Sequence, residues 1–227
     1  MQIECPLCKN LKIKDFYKEK DGFKRLFYRC ESCLLIFLDP RLHLPKSLEK
    51  SRYEHHNNTE RTDGYEKFLR TLIDPLKKFI KPNNIGLDFG CGPYPMMCEI
   101  LKEDGYKIEG YDPYFAPNEA LLHATYDYIT CCEVAEHFNE PVKSFKKMDS
   151  LLRYGGILAI KTSIFNDSID FKNWYYIKDD THISLYSKES MQWICSEFNY
   201  EILDISDSVV LFKKNRGENN VKTGSIS

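Results

Sequence analysis

Ile85-Gly86-Leu87-Asp88-Phe89-Gly90-Cys91-Gly92-Pro93 is the stretch on which the fold turns. An apolar run of strand character ends in a Gly-x-Gly turn, the pattern of a buried strand that delivers a ligand-binding loop at its carboxyl end. Alone the turn is ambiguous, because glycines at that place also open nicotinamide and flavin sites. Its neighbours narrow it. A dinucleotide loop asks for a third glycine close behind, beneath the pyrophosphate. Here Gly92 is followed by Pro93-Tyr94-Pro95, a rigid segment with few free amides. Asp88, just before the glycines, repels a pyrophosphate and suits a cationic or amine-bearing ligand. Asp112, at the end of the next strand, is placed to accept two ribose hydroxyls.

Outward from this stretch, strands and helices alternate. Phe68, Leu69, Leu72, Ile73, Leu76, Phe79 and Ile80 recur at helical spacing from Gly64 onward, and Pro82-Asn83-Asn84 stops that helix. Strands are expected at 85–89, 107–111, 128–132 and 156–161, with helices at 94–103, 141–152 and 187–198, the last capped by Ser187. Residues 201–205 and 209–213 form two further strands around Ser206-Asp207-Ser208. The fold class is therefore α/β: a largely parallel sheet covered on both faces, with an antiparallel hairpin at its edge. The tail from Asn215 is polar and expected to be disordered.

The chain has 227 residues and a formal net charge of −2, so attraction to a phosphate backbone is not a global property. Its longest apolar runs fall short of a membrane span. Cys5 and Cys8 stand where an apolar targeting segment would have to be, and a soluble cytoplasmic protein is expected. Cys5 and Cys8 form one CxxC pair, Cys30 and Cys33 a second, and two such pairs suit a tetrahedral four-thiolate zinc ion. Strands at 23–29 and 34–38 would complete a zinc ribbon, in which four cysteines leave no open position, so that the zinc is structural. About 40 residues make no adequate core unaided, which gives a metal staple its physical reason. Two disulfides would need an oxidising compartment, and a redox dithiol would not account for two matched pairs. His55 and His56 read as surface residues, and Cys91, Cys98, Cys131, Cys132 and Cys195 as reduced thiols in apolar segments.

Residues 84–213 resemble the class I S-adenosylmethionine-dependent methyltransferases. The resemblance is carried by Leu87-Asp88-Phe89-Gly90-Cys91-Gly92, and by Tyr126-Asp127-Tyr128-Ile129-Thr130-Cys131-Cys132-Glu133-Val134-Ala135-Glu136-His137-Phe138 with Pro141 opening a helix. Leu151-Leu152-Arg153-Tyr154-Gly155-Gly156 is similar to the family's glycine turn, and the last two strands to its reversed hairpin. The resemblance implies a Rossmann-like sheet, S-adenosylmethionine as cofactor, and a binding set of Asp88, Gly90, Cys91, Gly92, Tyr94, Asp112, Pro113 and Glu133. It divides the chain into a zinc ribbon at 1–45, a linker and helical lid at 46–83, a methyltransferase domain at 84–214 and a polar tail at 215–227. Only 13 residues separate Asp112 from Tyr126, too few for the usual helix, third strand and second helix. No adenine contact carries over from that region, and Tyr111, Pro113, Tyr114 and Phe115 are expected to wall the adenine instead.

Cys5-Pro6-Leu7-Cys8, the run from Tyr28 to Pro40 and Asp180-Thr181-His182-Ile183-Ser184-Leu185-Tyr186-Ser187 are similar to zinc-ribbon bacterial methyltransferases acting on sugars, polysaccharide or natural-product scaffolds. A related sugar carbon-methylating branch carries a further large C-terminal domain, which this sequence does not show, so that branch's activity is not expected to transfer directly. The expected reaction is in-line transfer to a hydroxyl or amine of a small-molecule or glycan acceptor. His182 is the candidate general base, against a purely pocket-shaping role. His137 stands at the same rim, where a helix-start role competes, and Glu133 is a candidate for orienting substrate or cofactor. Trp174, Tyr175 and Tyr176 either stack on a planar substrate or cover the core edge, and Tyr53 and Tyr65 belong to the lid. The runner-up is an RNA or protein methyltransferase whose ribbon holds the macromolecule through Lys9, Lys12, Lys14, Lys18, Lys20, Lys24, Arg25 and Arg29.

Overall fold

The computed structural model describes residues 3–19, 25–45, 48–50, 52 and 61–216. Lys20, Lys24, Tyr53, His55, His56 and the part of the tail beyond residue 216 lie outside them. A six-stranded sheet runs in the order β5-β4-β6-β7-β10-β9. Its strands are β4 (Ile85–Phe89), β5 (Lys107–Tyr111), β6 (Tyr126–Cys132), β7 (Leu152–Lys161), β9 (Tyr200–Ile205) and β10 (Val209–Lys214). β4 to β7 are mutually parallel where they pair. β10 lies antiparallel between β7 and β9, which is the terminal hairpin expected from the sequence.

Alternation along the strands sorts the core into two layers. Ile157, Ala159, Val209 and Leu211 face α1 (Asp63–Lys77) and α2 (Met96–Glu103), whose Leu72, Ile73, Leu76, Ile100 and Leu101 are fully buried. Leu158, Ile160, Val210 and Phe212 face the opposite way, onto Phe145 and Met148 of α3 (Pro141–Leu151) and Met191 and Ile194 of α4 (Lys188–Glu197). Ser187 caps α4 in a reciprocal box with Ser190, whose backbone N–H and side chain complete it. α1 stops at Lys77 and not near residue 80, and α2 starts at Met96 because Pro95 takes the cap position. β7 reaches back to Leu152, drawing the expected glycine turn into the strand through pairing of Leu152 with Tyr126. Between β5 and β6 the chain makes a bridge, Asp112 with Ala116, and a short 3-10 helix (Glu119–His123). No strand forms there among the described residues, so β5 is the sheet's edge.

The N-terminal segment is joined to this domain by a second sheet. β1 (Ile13–Lys18), β2 (Leu26–Cys30) and β3 (Ile36–Leu38) form an antiparallel meander whose last neighbour is β8 (Ser184–Leu185), from the far side of the chain. β1 was not expected from the sequence. Phe27, Ile36 and Leu38 pack with Phe165, Phe171, Trp174, Ile177 and Leu185 in one cluster. Ile183 N–H donates to the Glu136 carbonyl, Ser184 Oγ to the Phe138 carbonyl and Tyr186 Oη to the Ala135 carbonyl. Segment 183–186 thus fastens the turn after β6 on one side and β3 on the other.

Candidate functional site

A cavity of about 880 Å³ opens at the carboxyl ends of β4, β5 and β6, the place where parallel sheets hold ligands. At one end stands the glycine loop. Gly90 and Gly92 take φ of +89° and +66°, and a Cβ at Gly90 would lie 2.6 Å from Val134. The amides of Gly90 and Cys91 both donate to the Tyr111 carbonyl, and that of Gly92 to Asp112 Oδ2. The three amides of the glycine turn are thus engaged within the protein, and Pro93 next to them has none to offer a pyrophosphate. Asp88 is buried and accepts a 2.7 Å hydrogen bond from Thr130 Oγ1. Burial pushes its carboxyl up to about 7, against the lowering effect of Thr130.

Asp112 accepts from Gly92 N–H, Tyr114 N–H and Phe115 N–H, so three of a carboxylate's roughly four acceptor directions hold the loop itself. Tyr111, Pro113, Tyr114 and Phe115 line the cavity beside Phe89, whose ring is 5.8 Å from that of Tyr111. Tyr94 is exposed at the rim, and Cys91 turns its sulfur toward Gly110 of β5. Tyr65 and Phe68 of α1, stacked at 6.1 Å, close another side.

At the other end four titratable side chains converge after β6 and β7. Glu133 sits at a left-handed φ of 52°, which a non-glycine residue adopts at a cost, and turns the chain sharply out of β6. Burial, with the nearby charge of Glu136 adding to it, pushes its carboxyl up to about 8, opposed by Lys161. Glu136 is fully buried in a 3-10 turn (Ala135–His137). Its Oε2 accepts from Thr162 Oγ1 at 2.9 Å, while its Oε1 has no hydrogen-bond partner. Burial raises its pKa too. His182 Nε2 lies 4.0 Å from that Oε1, and its Nδ1 is 2.7 Å from the Tyr176 carbonyl. His137 Nδ1 is 3.0 Å from the Thr181 carbonyl. A carbonyl only accepts, so both Nδ1 atoms carry a proton, and a neutral ring so anchored has its lone pair on Nε2. Burial lowers the His182 pKa below its ordinary 6.5, although Glu136 pulls the other way.

The cavity brings together every expected site residue except the cysteine set: Asp88, Gly90, Cys91, Gly92, Tyr94, Asp112, Pro113, Glu133, His137 and His182 all line it. Trp174, Tyr175 and Tyr176 do not. Trp174 and Tyr176 are buried under the N-terminal sheet and cover the core edge, whereas Tyr175 points outward. Glu136 was missed as a site residue. Its only sequence signal is a second glutamate three positions after Glu133 and directly before His137.

Away from the cavity, Cys5, Cys8, Cys30 and Cys33 bring their sulfurs within 4.8 Å of one another, with Cys5–Cys33 and Cys8–Cys30 both at 3.5 Å. These are well beyond a disulfide bond length of about 2.05 Å. Of the basic residues nearby, Arg25 donates to the Ile177 and Lys178 carbonyls and to Asp180, and Arg29 pairs with Asp167. No helix among the described residues is long and apolar enough to cross a membrane.

A family model described as a methyltransferase domain matches residues 45–205. No curated protein matches the sequence. Among solved structures, the chain is similar to magnesium protoporphyrin IX methyltransferase from Synechocystis PCC 6803, crystallised with bound S-adenosylhomocysteine, at 12% identity and a TM-score of 0.55. That alignment covers 74% of this chain and 95% of the other. It is also similar to an O-methyltransferase family protein from Burkholderia thailandensis at 12% identity and a TM-score of 0.49, over 75% of this chain and 64% of the other.

Proposed function

The chain belongs to the methyltransferase-domain family, and from that footing we propose that it moves a methyl group from S-adenosylmethionine to a hydroxyl or amine of a small-molecule or glycan acceptor. The observation that carries this reading is one cavity with two chemically opposite ends: a carboxylate-and-glycine loop with its amides already used, and a pair of imidazoles with lone pairs on Nε2. Volume supports it as well, since about 880 Å³ holds a nucleoside-sized cofactor with room for an acceptor.

S-adenosylmethionine supplies an electrophilic methyl on a positively charged sulfur. Asp88 would hold the cationic methionine portion, and Gly90, Cys91, Gly92 and Tyr94 would shape the loop against it. Asp112 and Pro113 would face the ribose, with one acceptor direction of Asp112 left for a hydroxyl. Phe89, Tyr111, Tyr114 and Phe115 offer the adenine its apolar walls. Glu133, held at the junction of the two ends, would orient acceptor and cofactor. His182 Nε2 would take the acceptor's proton as the new bond forms, with His137 beside it setting the shape of the acceptor end.

The four cysteines would hold a structural zinc ion. Thiolates bonded at about 2.3 Å to one ion lie about 3.8 Å apart, and the observed sulfur separations bracket that spacing. An RNA or protein acceptor held by this segment is the weaker reading. Arg25 and Arg29, two of the cations it relied on, are spent on internal contacts. Two measurements test the proposal: calorimetric binding of S-adenosylmethionine to the folded protein, and transfer of labelled methyl onto fractionated metabolites and glycans. Absence of cofactor binding would overturn it. Labelling of RNA alone, with binding that weakens steeply in salt, would hand the acceptor to the second reading.

A further inference from the structure

We propose that Glu136, His137 and His182 bind a divalent first-row transition-metal ion in the floor of the cavity, where it would hold the reacting oxygen or nitrogen of the acceptor. The inference rests on the acceptor end of the reading above and refines it. In the ion-free protein His182 is the group that can take a proton; with the ion bound, His182 Nε2 would be a ligand, and the ion would lower the pKa of the acceptor it holds so that the acceptor's proton passes to water at the cavity mouth.

The donor set is assembled. One carboxylate oxygen and two imidazole nitrogens, on the turn after β6 and the loop after β7, lie within 4.8 Å of one another. Donors bonded to one ion at about 2.0–2.2 Å sit about 3–3.5 Å apart, so closing the set takes side-chain shifts of about 1 Å. Glu136 supplies the decisive observation. Its side chain is fully buried, and Oε1 faces this space with no hydrogen-bond partner, although Oε2 is bonded to Thr162. A buried acceptor left unmade is costly, more so when charged, and a cation at that position removes the deficit.

The histidines are arranged for the same purpose. Each donates its Nδ1 proton to a main-chain carbonyl, His137 to Thr181 and His182 to Tyr176. That outer contact fixes the tautomer and ring direction of histidines that ligate metal through Nε2. Behind Glu136 the chain of Thr162 Oγ1 and Tyr176 Oη, 2.9 Å apart, holds its other oxygen in place. Glu133 brings a second carboxyl to the same space, beside Lys161. Two imidazoles with one carboxylate select ions such as Mn²⁺, Fe²⁺, Co²⁺ or Zn²⁺ over Mg²⁺ and Ca²⁺, which prefer all-oxygen sets. Three protein ligands leave open positions, as sites that bind a reactant do.

The experiment uses the whole protein with its cysteine site loaded by zinc and excess zinc removed. Mn²⁺ is titrated in and its free-ion resonance followed, with the stoichiometry checked by elemental analysis. The expected result is one Mn²⁺ per chain in the wild type, with affinity at least tenfold weaker in Glu136→Gln and in His182→Ala. Glu136→Gln keeps the shape of the side chain, and S-adenosylmethionine binding by each variant reports whether it has folded. No Mn²⁺ bound in the wild type, or binding unchanged in both folded variants, would overturn the inference. Neither outcome touches the methyltransferase reading, which stands or falls on cofactor binding.

Discussion

His137 and His182 face each other with ring centroids 4.8 Å apart and planes at 65°, each anchored through Nδ1 to a carbonyl of the loop after β7. The two residues come from different crossovers of the sheet, and the loop from 176 to 182 supplies both anchors. His182→Gln therefore removes one Nε2 from a shared centre while leaving the glycine loop untouched. The expected loss in kcat/KM is about 10²- to 10⁴-fold, with the dissociation constant for S-adenosylmethionine moved by less than about twofold. The pH profile follows from burial, which holds the His182 pKa below 6.5. Its neutral form persists at and above pH 6.5, and activity is lost as pH falls through the lowered value. An acid limb centred above pH 7 in the wild type would contradict this.

Asp88 gives the cofactor end its own pH dependence. In the free protein burial keeps its carboxyl near 7, while a cationic partner favours the ionised form. Binding of S-adenosylmethionine near pH 7 should release a proton, and affinity should weaken as pH drops below 7, by at most about tenfold per unit. Calorimetry in buffers of different ionisation enthalpy reads the proton directly. Asp88→Asn should abolish both the proton release and the slope.

Loss of the cysteine site should reach the active site through backbone pairing. Cys33 precedes β3, β3 pairs with β8, and segment 183–186 carries the hydrogen bonds that hold the turn bearing Glu136 and His137. Cys33→Ser, or treatment with a strong chelator, should lower methyl transfer by about tenfold or more and lower the melting temperature. Cofactor binding should change much less, because β4, β5 and the glycine loop belong to the other end of the cavity. Equal loss of binding and turnover would mean that the whole domain depends on the cysteine site.

Much of this architecture was legible in the sequence, for identifiable physical reasons. Residues 85–89 are short, largely apolar and bounded by turn residues, and 107–111 alternate polar and apolar positions before Asp112-Pro113, so strand character leaves few alternatives. Ser187 was a readable cap because a hydroxyl before a helical run has one favoured use. The pairing of β3 with β8 was not legible, since nothing in a two-residue strand marks a partner some 150 residues away. Glu136 escaped for a related reason. Its role comes from a 3-10 turn that buries a carboxylate against Thr162 and His182, and sequence polarity alone argues for exposure.

Gly90 joins the two ends of the cavity. Its φ of +89° is open to glycine and strained for alanine, and an added Cβ would meet both Val134 γ-carbons at 2.6 and 2.7 Å. Val134 is part of the turn that carries Glu133 and Glu136, so the collision would push the acceptor end as well as distort the cofactor loop. Gly90→Ala should cost about 1–2 kcal/mol through backbone conformation and about 1–3 kcal/mol through overpacking. Only the second cost can be relieved by making space. Val134→Ala in the same chain should therefore recover part of the stability lost and part of the turnover, leaving the conformational cost in place. Denaturant unfolding of the wild type, both single variants and the double variant gives the coupling between the two positions. Simple additivity would mean that Gly90 serves the loop alone, whereas a recovery on the order of 1 kcal/mol or more locates the contact through which the cofactor loop and the acceptor turn are held in register.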